Sequence, residues 1–136
     1  MPVNLPEMER FSADHRKILR GRIERLIDRA QYLATTDRAL LEQVYGQGTS
    51  LTAVARLMGQ TPRTLQRRFA KIIQRVNNKE FVFVARHQAL LSQPQRQVAR
   101  KVVLQGKTLR QTAVESGLSL HQVRRHLQEV HALARV

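Results

Sequence analysis

An all-α fold made of two repeated helical units is predicted by three features of this 136-residue sequence. Leu, Val and Ile recur at helical spacing rather than in alternation, and no second apolar run offers a partner strand. The sequence matches itself at an offset of 58 residues. Its Gly, Asn and Pro breaks punctuate both halves. In the self-alignment Val44 meets Val102, Gln47 meets Gln105, Gly48 meets Gly106 and Leu51 meets Leu109. Ala55 falls on Ala113, Gly59 on Gly117 and Arg67 on Arg125, with conservative pairs such as Ser50 and Thr108 or Leu65 and Val123 between them. Leu33 with Leu91 and Arg38 with Arg96 extend the match upstream, so the repeat covers a unit of three or four helices.

The elements follow in order. Residues 1–11 read as an N-terminal arm, 12–76 as the first unit and 77–136 as the second. Ser12 is positioned to cap a helix running to about Ala34, and Thr35 or Thr36 a second ending near Tyr45, before Gly46 and Gly48 break the chain. Ser50 caps a short helix to Met58, which Gly59 ends. Thr61 then caps the next, with Pro62 at its first helical position. In the second unit the breaks are Asn77 and Asn78, then Gln93 and Pro94, then Gly106. Thr108 with Gln111 and Ser119 with Gln122 have capping-box spacing. Phe81-Val82-Phe83-Val84 is compatible with a buried strand. Its continuation into helix formers and its alignment with the first unit's long helix favour a helix buried between the units.

Charge narrows the function. Lys and Arg number 24 against 10 acidic residues, a formal charge of +14, and this excess calls for a polyanionic partner. It is concentrated: from Gln43 to Val114 the only acid is Glu80, whereas Met1 to Glu42 carries seven acids and eight bases. A hydrophobic content of 42% separates this from a disordered basic tail. With no cysteine, disulfides, thiol nucleophiles and thiolate zinc modules are excluded. No apolar run reaches the roughly 20 residues of a membrane span. Met1 to Arg10 lacks a signal core, so the expected location is the cytoplasm, at the nucleoid.

From Leu51 to Phe69 the spacing is that of a helix-turn-helix. Ala55 sits where only a small side chain fits between the helices, Gly59 makes the tight turn at positive φ, and Val54, Leu65 and Phe69 close a small core. The second unit repeats this with Ala113, Gly117, Leu118, Val123 and Leu127. At 100° per residue, Leu65, Phe69, Ile72 and Val76 form the buried stripe of the second helix. Arg63, Arg67, Ala70 and Gln74 lie opposite. In the second unit Val123, Leu127, Val130 and Ala134 are buried, and His121, Arg125, Gln128 and Ala132 lie opposite, with Arg124 to one side.

In such a motif the start of this helix enters the DNA major groove. Arg pairs bidentately with guanine and Gln with adenine, so the expected base contacts are Arg63, Gln66, Arg67, His121, Arg124 and Arg125. Ser50, Thr52, Lys107, Thr108 and Arg110, near the start of the preceding helix, are expected to hold phosphate, as are Arg68, Lys71 and Arg75 on the flank.

Gly106-Lys107-Thr108-Leu109-Arg110-Gln111-Thr112-Ala113 through Gly117-Leu118-Ser119 to Val123 and Leu127 resembles the promoter-reading domain of bacterial sigma factors, sigma-70 region 4. Both units share the pattern, and Val98 to Leu104 matches the preceding helix of that domain. The stretch from Val98 to Val130 is also similar to plasmid transcriptional repressors of the KorA type. Together the resemblances cover about two thirds of the chain and imply DNA binding and transcriptional regulation. Two departures stand out. Gln60 occupies a position that is usually apolar, and nothing resembles the aromatic-rich sigma domain that melts promoters, since the chain has no Trp, two Tyr and four Phe.

Other functions find less support. His121, His126 and His131 are spaced by five, which turns each about 140° from the last so that no two share a helix face; no metal or other cofactor is expected, and the latter two read as surface residues. No catalytic constellation is present, which argues against an enzyme. RNA binding is disfavoured by the few aromatics available to stack on bases. The expectation is a sequence-specific regulator reading two successive major grooves of double-stranded DNA. The alternatives are a sigma-like adaptor of RNA polymerase and an accessory factor in recombination or transposition. On the first helix Leu19, Ile23, Leu26, Ala30 and Leu33 form one stripe that Ile18 and Ile27 widen, so a homodimer through Leu19, Ile23, Leu26 and Ile27 is an added expectation.

Overall fold

The computed structural model describes the backbone of residues 5–136 and the side chains from Lys17 onward. It is all-helical among the described residues. The order is α1 (Leu5–Ala30), α2 (Thr35–Leu41), α3 (Leu51–Met58), α4 (Pro62–Val76), α5 (Lys79–Arg86), α6 (Gln93–Ala99), α7 (Leu109–Ser116) and α8 (Leu120–Ala134). α2 runs on into a π-helical turn, Glu42–Gly46, and α6 into another, Arg100–Leu104. The bounds of α2, its π turn, α3 and α4 recur 58 residues later in α6, its π turn, α7 and α8. Gln47 and Gln105 N–H groups close the π turns on the Glu42 and Arg100 carbonyls, each at 3.0 Å. α5 matches only the stretch Gly21 to Asp28 of the much longer α1.

Several boundaries differ from the sequence expectation. α1 begins at Leu5, so Ser12 lies inside it rather than at its cap, and residues 5–11 are helical. Pro6 sits in the first turn, where its missing N–H costs nothing, and Glu7 to Arg10 are good helix formers. The same helix stops at Ala30, after which Tyr32 and Leu33 N–H groups bond back to the Arg29 and Ala30 carbonyls, both at 3.1 Å. Ala34 takes the N-cap position of α2 with no side-chain bond, so neither Thr35 nor Thr36 caps it. Gln93 and Pro94 open α6 instead of breaking the chain, because Ser92 and Gln95 form a capping box that places the proline in the first turn. The break falls at His87 to Leu91.

Elsewhere local chemistry sets the ends as expected. Ser50 accepts from the Ala53 N–H at 3.2 Å, and Thr61 from Thr64 at 3.3 Å, with Pro62 following it. Thr108 with Gln111 and Ser119 with Gln122 both form capping boxes. Gly59 and Gly117 end α3 and α7 in the left-handed region, at φ 67° and 66°. The next N–H, on Gln60 or Leu118, reaches back to the Ala55 or Ala113 carbonyl, a Schellman closure. Phe81 to Val84 is helical.

One continuous core joins the two halves. Leu26, Ala30, Leu33, Leu41, Leu65, Phe69 and Val76 belong to the same cluster as Phe81, Val84, Leu91, Ala99, Leu104 and Val130. Phe81 and Val84 are fully buried, so α5 packs both against α4 and against the second half. Leu26, counted above among dimer-forming residues, is part of this core. Burial in its own chain claims it. Phe81→Ala should therefore cost about 3–5 kcal/mol, the usual effect of truncating a fully buried aromatic. Urea unfolding should remain a single transition, with the midpoints of probes in α4 and α8 falling together; separate transitions would mean that the halves fold independently.

Candidate nucleic-acid interface

α4 and α8 are each 15 residues long and present the same division of faces. On α4 Leu65, Phe69, Ile72 and Val76 are buried, and Arg63, Gln66, Arg67, Ala70 and Gln74 are exposed. On α8 Val123 and Val130 are buried, Leu127 and Ala134 are half-buried, and His121, Arg124, Arg125 and Gln128 are exposed. All six residues expected to contact bases thus reach solvent in the first two turns of their helices. None of Arg63, Gln66, Arg67, His121 or Arg124 is paired with an acid among the described residues. Arg125 Nε lies 3.7 Å from the Glu129 carboxylate, an exposed i,i+4 pair that screening weakens.

The residues expected to hold phosphate divide into two groups. Thr52, Lys71 and Arg110 are exposed. Others are already engaged within the chain. Asp37, in the first turn of α2 and only 14% exposed, bridges two guanidiniums: Oδ1 accepts from Arg68 Nη2 at 2.9 Å and Nε at 3.3 Å, and Oδ2 from Arg75 Nη2 at 3.0 Å. These bonds tie α2 to α4. They also prearrange a groove of about 360 Å³ lined by Asp37, Thr64, Arg67, Arg68, Lys71, Ile72 and Arg75. Four cations face one carboxylate there, so the groove keeps a net positive charge suited to an anion even with the Asp37 carboxylate counted against them. Ser50 and Thr108 hydroxyls are occupied as caps.

Lys107 is similarly occupied. Its ammonium donates to both Glu115 oxygens at 2.9 and 2.8 Å, and Lys101 donates to Oε2 at 2.9 Å. This clip fastens the turn before α7 to the helix itself. In the second unit Gln95, the counterpart of Asp37, donates to Glu129, and His126 Nδ1 lies 3.6 Å from the same carboxylate. Each unit therefore links the start of its α2-type helix to its last helix through a polar contact, an ion pair in the first and an amide-to-carboxylate bond in the second.

The histidines depart from the surface placement expected of them. His126 is 11% exposed, and His131 is half-buried with Nδ1 against the Glu80 carboxylate of α5. Close packing of α8 on α5 and α6 turns those faces inward. Among the described residues no group of three His, Asp or Glu is placed to hold a metal. Gln60, half-buried at the residue after the α3 turn, leaves Oε1 buried without a hydrogen-bond partner among the described residues, where Leu118 fills the equivalent place in the second unit. The sequence pattern of exposed bases gives no sign of Asp37, Glu115 or Glu129. Asp37 lies 31 and 38 residues from its two partners, beyond any helical periodicity.

Comparison with protein-family models, curated proteins and solved structures finds no match for this chain. No helix among the described residues is long and apolar enough to cross a membrane.

The Lys107 and Lys101 ammonium groups hold the Glu115 carboxyl below the usual carboxylate range. Because the folded value is the depressed one, whatever the clip adds to stability is complete above the unfolded carboxylate range and is lost as pH falls through the folded value. The Glu115 side-chain carboxyl, followed by NMR, should titrate below a free glutamate. Replacing both lysines by alanine should return it to the ordinary range, and a midpoint that does not move would show that the lysines are not its cause.

Proposed function

We propose that this protein is a sequence-specific double-stranded DNA-binding regulator of transcription, reading two successive major grooves with tandem helix-turn-helix motifs, α3–α4 and α7–α8. The observation that carries the reading is the pairing of two equal-length helices, each entered through a left-handed glycine turn and each exposing bases on its first two turns. Supporting it are the net charge of +14 and the positively charged groove beside α4. The resemblance to sigma-70 region 4 and to KorA-type repressors points the same way.

In this reading Arg63, Gln66 and Arg67 address one groove and His121, Arg124 and Arg125 the next. The two sets differ, so a single chain prefers an asymmetric site. Lys71, Thr52 and Arg110 lie on phosphates, and the Asp37-held Arg68 and Arg75 line the anion groove with part of each guanidinium accessible. Lys107, tied into its clip with Glu115 and Lys101, is a weaker phosphate ligand than its position in the sequence implies. A homodimer would rest on Ile18 and Leu19, which are 55% and 41% exposed on α1, with Ile23 and Ile27 half-buried beside them.

Selection of bound sequences from random duplexes over a salt series tests the proposal. A two-part site should emerge, and Arg67→Ala or Arg125→Ala should lose about 1–3 kcal/mol of discrimination at defined base positions of one part. Lys71→Ala should instead weaken binding to all sequences and flatten the salt dependence by about one unit of slope. Enrichment of no motif would overturn the regulator reading, and enrichment of RNA in a parallel selection would redirect it.

A further inference from the structure

Arg75 stands where the two halves of the chain meet. It rises from the last turn of α4, and Asp37 holds its Nη2 at 3.0 Å. Beyond that bond its guanidinium lies against Gly106, in the turn that leads to the Thr108 cap of α7. A Cβ added at Gly106 would fall 2.6 Å from Arg75 Cζ and closer still to Nη1. Gly48 is the counterpart of Gly106 in the first unit. Both have φ 70°, yet a Cβ at Gly48 would meet nothing within 4 Å. The conformation asks for glycine at both positions, but only at Gly106 does a neighbouring side chain, the guanidinium end of Arg75, occupy the space a Cβ would take.

Further observations converge on the same contact. Arg75 Nε is buried with no hydrogen-bond partner among the described residues, an arrangement that costs free energy and that packing must offset. The position 58 residues after Arg75 is Leu133, so the strut has no copy at the other end of the chain. α4 also packs on the Arg100–Leu104 π turn, which ends just before Gly106.

We propose that Arg75 is a positioning residue that sets the placement of α7 and α8 relative to α3 and α4, by a strut running from Asp37 through its guanidinium to Gly106. For DNA, and resting on the function proposed above, this makes Arg75 a determinant of spacing: it selects the number of base pairs between the two parts of the site. One base pair adds about 3.4 Å of rise and about a tenth of a turn, so a held pair of motifs accepts one spacer and a loosened pair accepts its neighbours.

The chain has no cysteine, so spin labels can be placed through Ala70→Cys on α4 and Ala132→Cys on α8, both exposed. Without DNA, the distance distribution between the labels should be narrow in the parent chain and clearly broader in Arg75→Ala. Gly106→Ala should shift it, while Gly48→Ala, equally strained at its own φ, should not. If Gly106→Ala does not fold, Arg75→Ala decides by itself. On DNA, with the two selected half-sites separated by spacers varied one base pair at a time, the parent should favour one spacer by about tenfold or more. Arg75→Ala should bring adjacent spacers to within about twofold. An unchanged distance distribution in Arg75→Ala, or an equal loss at every spacer that marks it as a phosphate contact alone, would overturn the proposal. A label response in a chain that selects no DNA site would sustain the strut and remove the regulator reading.

Discussion

The two halves of this chain, residues 5–76 and 77–136, are about 70 and about 60 residues long, a size at which one helical unit buries only a marginal apolar core. The two halves answer this by sharing one core. Val76 at the end of α4, Phe81 and Val84 on α5, and Val130 on α8 are all fully enclosed and belong to one cluster. α5 is the hinge of that arrangement. In the first half its place is taken by a 26-residue helix, but in the second only eight residues remain, with Phe81 and Val84 buried and Val82, Phe83 and Ala85 half-buried. This short segment packs on both α4 and α8 and so joins the two halves through apolar contacts, beside the polar contact that Arg75 makes at Gly106.

On that shared core the charges are sorted rather than merely accumulated. Acids are few, and three of them tie elements together, two of them by holding bases at chosen points. Asp37 ties α2 to α4, Glu115 fastens the turn before α7, and Glu129 meets the start of α6 through Gln95. An anion-binding surface needs cations that are oriented as well as present. A carboxylate that engages one edge of a guanidinium supplies that orientation while lowering the local repulsion among neighbouring cations. The six exposed residues at the starts of α4 and α8 are left outside these ties, apart from the weak Arg125–Glu129 pair, which suits a surface that must re-pair with another molecule.

The repeat also shows where sequence similarity stops. Backbone elements coincide at the same offset through four successive segments, and the turn glycines agree in φ within about one degree. Side-chain chemistry at the same positions diverges: Asp37 becomes Gln95, Arg68 becomes His126, and Arg75 becomes Leu133. One backbone plan thus supports two different surfaces. The junction is asymmetric for the same reason, since Leu133 offers no guanidinium where Arg75 does.

The helical class, the recurrence of element bounds 58 residues apart, the caps of α3, α4, α7 and α8, and the exposed faces of α4 and α8 were legible in the amino-acid order. Each of these depends on interactions within a few residues, where capping hydroxyls, left-handed glycines and the 100° step of the helix act locally. The start of α6 was less legible, because a proline in the first turn reads as a break until the cap before it is seen. Only the tertiary structure decided which cations remain free, that Leu26 belongs to the core and His126 and His131 pack inward, and that Arg75 lies on Gly106. Those outcomes depend on how helices cross. Groups 30 or more residues apart meet only once packing has set the angle between the elements that carry them, and no periodicity in the sequence encodes that angle.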